Sequence, residues 1–166
     1  TLQGRWALSD SRLVVEETKI ASDIATMEIS GSASLSDLAD KVEKALDRLG
    51  DTALHLGQAA MSDRFRTAFA HAAPFQEVMG DVIMAWMLLW RATVAVPPLE
   101  KLLADLAGDA RRKKIDTHKN ATFYHGQVQT ARYFINSLLP VTLGKMDAIM
   151  AAESAVVDMP EAAFGG

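Results

Sequence analysis

The stretch Pro74–Val96 is apolar around nearly its whole circumference when it is drawn as a helix. Between Val82 and Val96 only Arg91 and Thr93 interrupt the apolar residues. A helix of this kind must be covered by other helices, by another subunit or by lipid. We therefore expect the stretch to lie at the centre of the fold.

Two features of this stretch argue against insertion into a membrane. A transmembrane helix needs about 20 predominantly apolar residues, and the segment from Val82 to Val96 is shorter. In addition, Glu77, Asp81 and Arg91 would lie in or near the hydrocarbon, at a cost of several kcal/mol. The sequence therefore favours a core or interface helix and no membrane insertion.

Apolar residues before this stretch also recur at helical spacing. The segment Thr1–Ile29 is predicted as a helix that ends in the small polar loop Ser30–Ser34. Its narrow apolar seam consists of Trp6, Leu13, Ile20, Ile24 and Met27. A second predicted helix begins at Ser34 or Ser36, and its core stripe consists of Leu38, Val42, Ala45, Leu49, Ala53 and Leu56.

Two proline sites divide the rest of the chain. Pro97-Pro98 should end the central helix, because proline lacks an N–H donor and restricts the residue before it. Pro140 should kink or interrupt the helix Asn120–Leu139, which then resumes through Val141–Ala155. The core stripe of that helix consists of Tyr124, Val128, Ala131, Ile135 and Leu138.

These patterns predict the fold class, because no segment shows the sustained alternation of a β-strand. We predict an all-α fold, an up-and-down helical bundle of four or five helices. Residues 1–34 are expected to form an N-terminal helix and linker, residues 35–155 the bundle, and residues 156–166 a flexible tail.

Composition narrows the classes of function. The chain has no cysteine, which excludes disulfides, thiolate nucleophiles and cysteine-based metal sites. A formal net charge of -4 argues against nucleic acid as a partner. The first 20 residues are too polar for a signal peptide, so a cytoplasmic location is expected. The sequence starts at Thr1 and not at methionine, which fits either processing or a fragment of a longer protein.

Few residues suggest chemistry. The histidines (His55, His71, His118 and His125) fall in different predicted elements and show no zinc-site spacing. The basic run Arg111, Arg112, Lys113 and Lys114 has two interpretations, a solvated loop before a helix or a contact to a phosphate such as that of coenzyme A. Trp86 and Trp90 share a helix face, and core packing is favoured there over an adaptable binding surface.

Two blocks of sequence resemble a known family. Ala73-Pro-Phe-Gln-Glu-Val-Met-Gly80, followed by Ala85-Trp86 and Arg91-Ala92, is similar to one helix of the C-terminal extension of a subgroup of acyl-CoA dehydrogenases. Lys119-Asn-Ala-Thr-Phe-Tyr124, continuing to Leu138-Leu-Pro140, resembles the next helix of that extension. The subgroup includes 3-methylmercaptopropionyl-CoA dehydrogenases. The residues taken as core or interface markers are Phe75, Gly80, Trp86, Trp90, Phe123, Tyr124 and Pro140.

The resemblance implies a parent enzyme that oxidises the Cα–Cβ bond of an acyl-CoA thioester. In such an enzyme a glutamate removes the α-proton and the N5 atom of FAD accepts the β-hydride. Both the flavin site and the glutamate would lie N-terminal to Thr1. We therefore assign no catalytic, cofactor-binding or metal-binding residue to this chain, and we expect no FAD on the chain alone.

The expected partners follow from the same resemblance. They are the catalytic domains of the same polypeptide, further copies in a homo-oligomer, and the acyl-CoA substrate of the parent enzyme. An alternative hypothesis from another class is a stand-alone helical module that dimerises through the face of Trp86 and Trp90 without catalysis.

Overall fold

The computed structural model describes residues 35–165, and every described element is helical. The α-helices are α1 (Leu35–Ala60), α2 (Phe65–Ala70), α3 (Ala72–Leu103), α4 (Gly108–Thr117), α5 (Lys119–Tyr133), α6 (Leu139–Ala151) and α7 (Ala155–Asp158). A π-helical turn, Phe134–Leu138, joins α5 to α6, and a 3₁₀ turn covers Glu161–Phe164. The helix predicted over Thr1–Ile29, with its seam of Trp6, Leu13, Ile20, Ile24 and Met27, lies outside the described residues.

Polar contacts show that α3 and the rod formed by α5 and α6 run in opposite directions. Arg91 on α3 donates a hydrogen bond to Gln127 on α5. Ten residues earlier on α3, Asp81 accepts a hydrogen bond of 2.8 Å from the Thr142 hydroxyl on α6. Residues later in the rod therefore pair with residues earlier in α3, as in antiparallel helices.

The first helix runs in the same direction as the α5–α6 rod. Lys41 donates a hydrogen bond to Asn136, and Arg48 lies 2.5 Å from Asp147. Helix α1 is therefore antiparallel to α3, and the three long helical segments form an up-and-down bundle. The predicted all-α fold is confirmed.

The core is built around α3, which packs against α1, α5 and α6. Its buried side chains recur every three or four residues along one side of the helix, which we call the inner face. They are Val78, Val82, Ala85, Leu88, Leu89, Ala92, Ala95, Val96, Leu99 and Leu103. The expectation that this helix lies at the centre of the fold is confirmed.

The predicted stripe of α1 is correct at its start and wrong at one later position. Leu38, Val42 and Ala45 are buried, whereas Ala53 is exposed. Thr52 is buried in its place, and its hydroxyl donates a 2.7 Å hydrogen bond to the carbonyl of Arg48. A hydroxyl satisfied within its own helix can be buried at small cost.

The prediction that α3 ends before Pro97-Pro98 is wrong, since the helix continues to Leu103. Prolines inside a helix remove backbone hydrogen bonds, so another interaction must stabilise the last turns. Leu99 and Leu103 are buried there in a small second core with Ala121 of α5. Tertiary burial of these side chains outweighs the local preference to stop.

The predicted interruption at Pro140 is confirmed. The N–H of Leu139 donates to the carbonyl of Phe134, five residues earlier, as in a π-helix. Pro140 follows as the second residue of α6. There its missing N–H falls next to an existing break in the α-helical pattern.

The chain after α6 returns towards α2. Ala152 ends α6 in the left-handed conformation (φ 50°). Arg64, just before α2, donates a 3.2 Å hydrogen bond to the carbonyl of Ala152, and the ring of His71 lies 3.2 Å from the carbonyl of Glu153. The domain boundaries at residues 34 and 155 and the flexibility of residues 156–166 stay predictions.

Replacing Leu103 by alanine tests whether packing holds α3 together beyond its prolines. We expect Leu103→Ala to lower the free energy of unfolding by about 2–5 kcal/mol, the cost of removing a buried leucine side chain. The control is Lys101, an exposed neighbour. Lys101→Ala should change the free energy of unfolding by about 0.5 kcal/mol or less. Urea unfolding followed by circular dichroism gives both values. Equal effects would show that Leu103 does not stabilise this end of α3.

Candidate functional site

Helix α3 has a second apolar side, which we call the outer face. It consists of Met79, Ile83, Trp86, Met87, Trp90 and Val94, and these side chains are 36–63% exposed. Because a helix has 3.6 residues per turn, these positions lie roughly opposite Ala85, Ala92 and Leu99 of the inner face. Between Met79 and Val94 no charged residue interrupts the outer face.

The outer face continues onto α5 through a shallow groove. The groove has a volume of about 330 Å³ and is lined by Trp90, Arg91, Val94, Ala95, Phe123, Tyr124 and Gln127. The rings of Phe123 and Tyr124 meet edge to face, with centroids 5.6 Å apart. Arg91 is hydrogen-bonded to Gln127 at one side of the groove. The lining is otherwise apolar, so the groove suits a hydrophobic side chain better than a charged ligand.

The aromatic markers divide between the core and the surface. Phe75 and Tyr124 are partly buried and pack against the core. Trp86 and Trp90 are 53% and 56% exposed, and Phe123 is 58% exposed. Within the described part of the chain, the expectation that the two tryptophans pack in the core is wrong. The reason is that α1 and the α5–α6 rod enclose only one side of α3, whereas α3 is apolar on two sides.

The remaining markers lie at the surface. Gly80 is exposed, and an added Cβ there would meet nothing within 4 Å. Pro140 is exposed in the first turn of α6. Neither residue contacts a feature that suggests chemistry. Their role as interface markers stays a prediction.

Helix α3 also meets the length and composition of a membrane-spanning helix. Among the residues searched it is the one helix that does so, and 44% of its most hydrophobic window is buried inside the bundle. The core helix of a soluble protein meets the same criteria. The other helices of the bundle cover the inner face of α3, whereas its apolar outer face remains exposed.

The basic run lies in helix α4, so the interpretation of this run as a loop is wrong. Gly108 starts this helix with φ +50°, a conformation that glycine adopts without strain. The Arg111 guanidinium lies 2.8 Å from Glu100 and 3.5 Å from the carbonyl of Leu103. Arg111 thus ties α4 to the end of α3, which is a structural role.

The other basic residues of α4 point to no ligand. Arg112 and Lys113 are exposed, and Lys114 is half-buried. A phosphate or coenzyme A contact at these positions stays a prediction.

The histidines lie in separate places in the structure. The Nδ1 atom of His118 accepts a 3.4 Å hydrogen bond from the N–H of Ala121 and so caps α5. His125 lies 3.1 Å from Gln129 on the same helix. Within residues 35–165, no group of three or more histidines, aspartates and glutamates is placed to hold a metal ion.

A polar cluster joins α3 to α6 nearer the start of α3 than the groove. Lys145 lies 3.1 Å from Glu77 and 3.9 Å from Asp81. The buried hydroxyl of Thr142 donates to the same Asp81. Every member of this cluster is paired with another, so we interpret it as a contact that fixes the register of the two helices.

The outer face could have been recognised from the sequence by a different test. The apolar residues of Pro74–Val96 fall into two stripes at helical spacing, one through Val82 and Leu89 and the other through Ile83 and Trp90. Two apolar stripes on one helix predict that both of its sides are covered, and the described bundle covers only one side. Counting apolar residues without separating the stripes hides this difference.

The two neighbouring arginines of α4 provide a matched test of the structural role. We expect Arg111→Ala to lower the free energy of unfolding by about 1 kcal/mol, because it removes a partly buried ion pair and a carbonyl contact. Arg112→Ala should have an effect within about 0.5 kcal/mol of zero. Thermal unfolding of both variants measures the difference. A larger effect of Arg112→Ala would contradict this assignment.

Comparison with known proteins gives relatives in one family of enzymes. Butyryl-CoA dehydrogenase from Syntrophomonas wolfei is 32% identical over 100 residues, which are 60% of this chain and 13% of the relative. The broad-specificity linear acyl-CoA dehydrogenase FadE5 from Mycobacterium tuberculosis is 31% identical over 86 residues, 52% of this chain and 12% of the relative. The match thus spans about an eighth of the length of these relatives. No solved structure is significantly similar to the chain.

The family model described as "Acetyl-CoA dehydrogenase C-terminal like" matches residues 17–160. This match covers the described bundle up to α7 and starts before α1. It confirms the resemblance to the C-terminal extension of acyl-CoA dehydrogenases, while the 3-methylmercaptopropionyl-CoA subgroup stays a prediction. The chain belongs to the family of acetyl-CoA dehydrogenase C-terminal-like domains.

Proposed function

We propose that this chain is the non-catalytic helical domain of a longer, FAD-dependent acyl-CoA dehydrogenase. The proposal rests on the family match over residues 17–160. The matched residues include the bundle that carries the apolar outer face. The relatives named above are acyl-CoA dehydrogenases of much greater length. Their substrates guide the proposed class of the parent reaction, the oxidation of the Cα–Cβ bond of an acyl-CoA.

The described residues do not fit FAD. A dinucleotide needs groups that bind its pyrophosphate, such as the N-terminus of a helix behind a glycine-rich turn. The groove beside Trp90 is apolar, and its cation, Arg91, is already hydrogen-bonded to Gln127. We therefore assign the flavin and the catalytic base to other parts of the parent enzyme.

The role left to the domain is structural. It would stabilise the parent enzyme or its subunit contacts, in a cytoplasmic homo-oligomer of the 3-methylmercaptopropionyl-CoA dehydrogenase-like subgroup. An apolar surface as continuous as the outer face is typical of a protein that is covered in its assembly. Neither acyl-CoA nor FAD need bind this chain for such a role.

The purified chain should be colourless and inactive. We expect no visible flavin absorption band and no reduction of an artificial electron acceptor with butyryl-CoA, since hydride transfer requires the cofactor. The parent enzyme, purified in the same way, is the positive control for both measurements. A yellow preparation of the isolated chain would refute the assignment of the flavin to other domains.

A second measurement tests the structural role itself. The parent enzyme without the region equivalent to residues 35–165 should retain the flavin band per subunit, and it should lose thermal stability or change its oligomeric state. Retention of both properties would argue against a structural role.

Dimerisation without catalysis is the second candidate function, and the exposure of Trp86 and Trp90 favours it. Buried aromatic residues dominate the binding energy of many interfaces. Sedimentation equilibrium of the isolated chain tests this candidate, with Trp90→Ser as the variant. Phe164→Ser is a matched control, because Phe164 is an exposed aromatic residue outside the outer face. A dimer that only Trp90→Ser dissociates would support the candidate, and a monomeric wild-type chain would exclude it.

A further inference from the structure

We propose that the outer face of α3 is covered by the same chain, through the apolar seam of residues 13–27 packed as a fourth long helix. The seam residues are Leu13, Ile20, Ile24 and Met27. They precede α1 and lie outside the residues that the structure describes. The proposal goes beyond the proposed function and would hold for either candidate role.

Most of the seam lies within the range of the family match. The family match begins at residue 17, whereas the described bundle begins at Leu35. The family's shared sequence therefore includes a segment before α1. Because Ile20, Ile24 and Met27 of this segment are apolar, they need a surface to pack on, and the described bundle offers the outer face.

The seam and the outer face have similar lengths. At 1.5 Å per residue, the outer face from Met79 to Val94 is about 22 Å long. The seam from Leu13 to Met27 would be about 21 Å long in a helix. The two stripes are therefore similar in length. Glu17 lies on the same side of the predicted helix as Ile24, so the part of the seam without a charge extends from Ile20 to Met27 and would cover the outer face from Ile83 to Trp90.

Helix α1 begins near the level of Trp90 along the bundle axis. Lys41 contacts Asn136, which lies between Gln127, the partner of Arg91, and Thr142, the partner of Asp81. Lys41 is therefore level with the middle of α3. Leu35 lies six residues earlier, about 9 Å further along the bundle axis, which places it near the level of Trp90.

The loop before α1 is long enough to connect α1 to a helix on the outer face. A step from α1 around α3 to its far side spans between one and two interhelical distances, about 10–20 Å. The loop Ser30–Ser34 has five residues, and an extended chain of that length reaches about 17 Å. The preceding helix would then be antiparallel to α1, with Met27 close to Trp90 and Leu13 close to Met79.

The absence of cysteine from the chain makes crosslinking a direct test. Ile24→Cys is combined in turn with Ile83→Cys, Met87→Cys or Trp90→Cys in the full chain, and a short bismaleimide is added. Ser22→Cys replaces Ile24→Cys as the matched control, because position 22 lies on the opposite side of the predicted helix. At least one Ile24 pair should crosslink within the chain about tenfold more efficiently than its Ser22 counterpart.

Two outcomes would overturn the proposal. Equal yields for the Ile24 and Ser22 series would show that the seam does not face α3. Crosslinks only between chains, which disappear on dilution, would assign the outer face to a second copy. Flavin content and enzyme activity do not enter this test, so its failure is distinguishable from failure of the proposed function.

Fluorescence provides a second measurement. In a Trp6→Phe background, only Trp86 and Trp90 emit. The variant Ile20→Ser/Ile24→Ser should shift their emission to longer wavelength and raise acrylamide quenching, while Thr18→Ser/Ala25→Ser on the polar side should not. Circular dichroism checks that both variants remain helical. Unchanged emission in a folded Ile20→Ser/Ile24→Ser variant would also contradict the proposal.

Discussion

The inner face of α3 is the contact on which the rest of the bundle depends. Each long helical segment of residues 35–165 packs on α3, and the buried side chains extend from Val78 to Leu103. Burial of apolar area is the main favourable term in folding, and α3 takes part in more of the helix–helix contacts of the described residues than any other helix. The polar pairs, such as Asp81 with Thr142, lie at the edge of this contact and set its register.

Two proline sites show how this contact governs local structure. Pro97 and Pro98 lie inside α3, and the helix continues because Leu99 and Leu103 are buried beyond them. Pro140 lies where α5 passes into α6, and a π-helical turn precedes it. At Pro97-Pro98 the packing of side chains compensates for the lost backbone hydrogen bonds. At Pro140 the backbone changes its hydrogen-bonding pattern instead.

Helical periodicity was sufficient to predict the fold class, the core residues of α1 as far as Ala45, and the interruption at Pro140. It failed at Pro97-Pro98, because the stabilising partner there is Ala121, which is distant in sequence. It also failed for Trp86 and Trp90, because periodicity places both on one face without showing whether that face is covered. The structural role of Arg111 depends on Glu100 and the end of α3, a tertiary arrangement that the basic run does not reveal.

The two apolar faces of α3 suit the proposed role of this bundle as a structural domain of a larger enzyme. A domain that is complete by itself would carry polar side chains where α3 carries Ile83, Trp86 and Trp90, since an exposed apolar stripe favours association. Under the proposal above, the segment before α1 covers these residues, and the family match, which begins at residue 17, includes most of that segment. The outer face is therefore best understood as half of a contact, and its sequence is constrained by packing in the same way as that of the inner face.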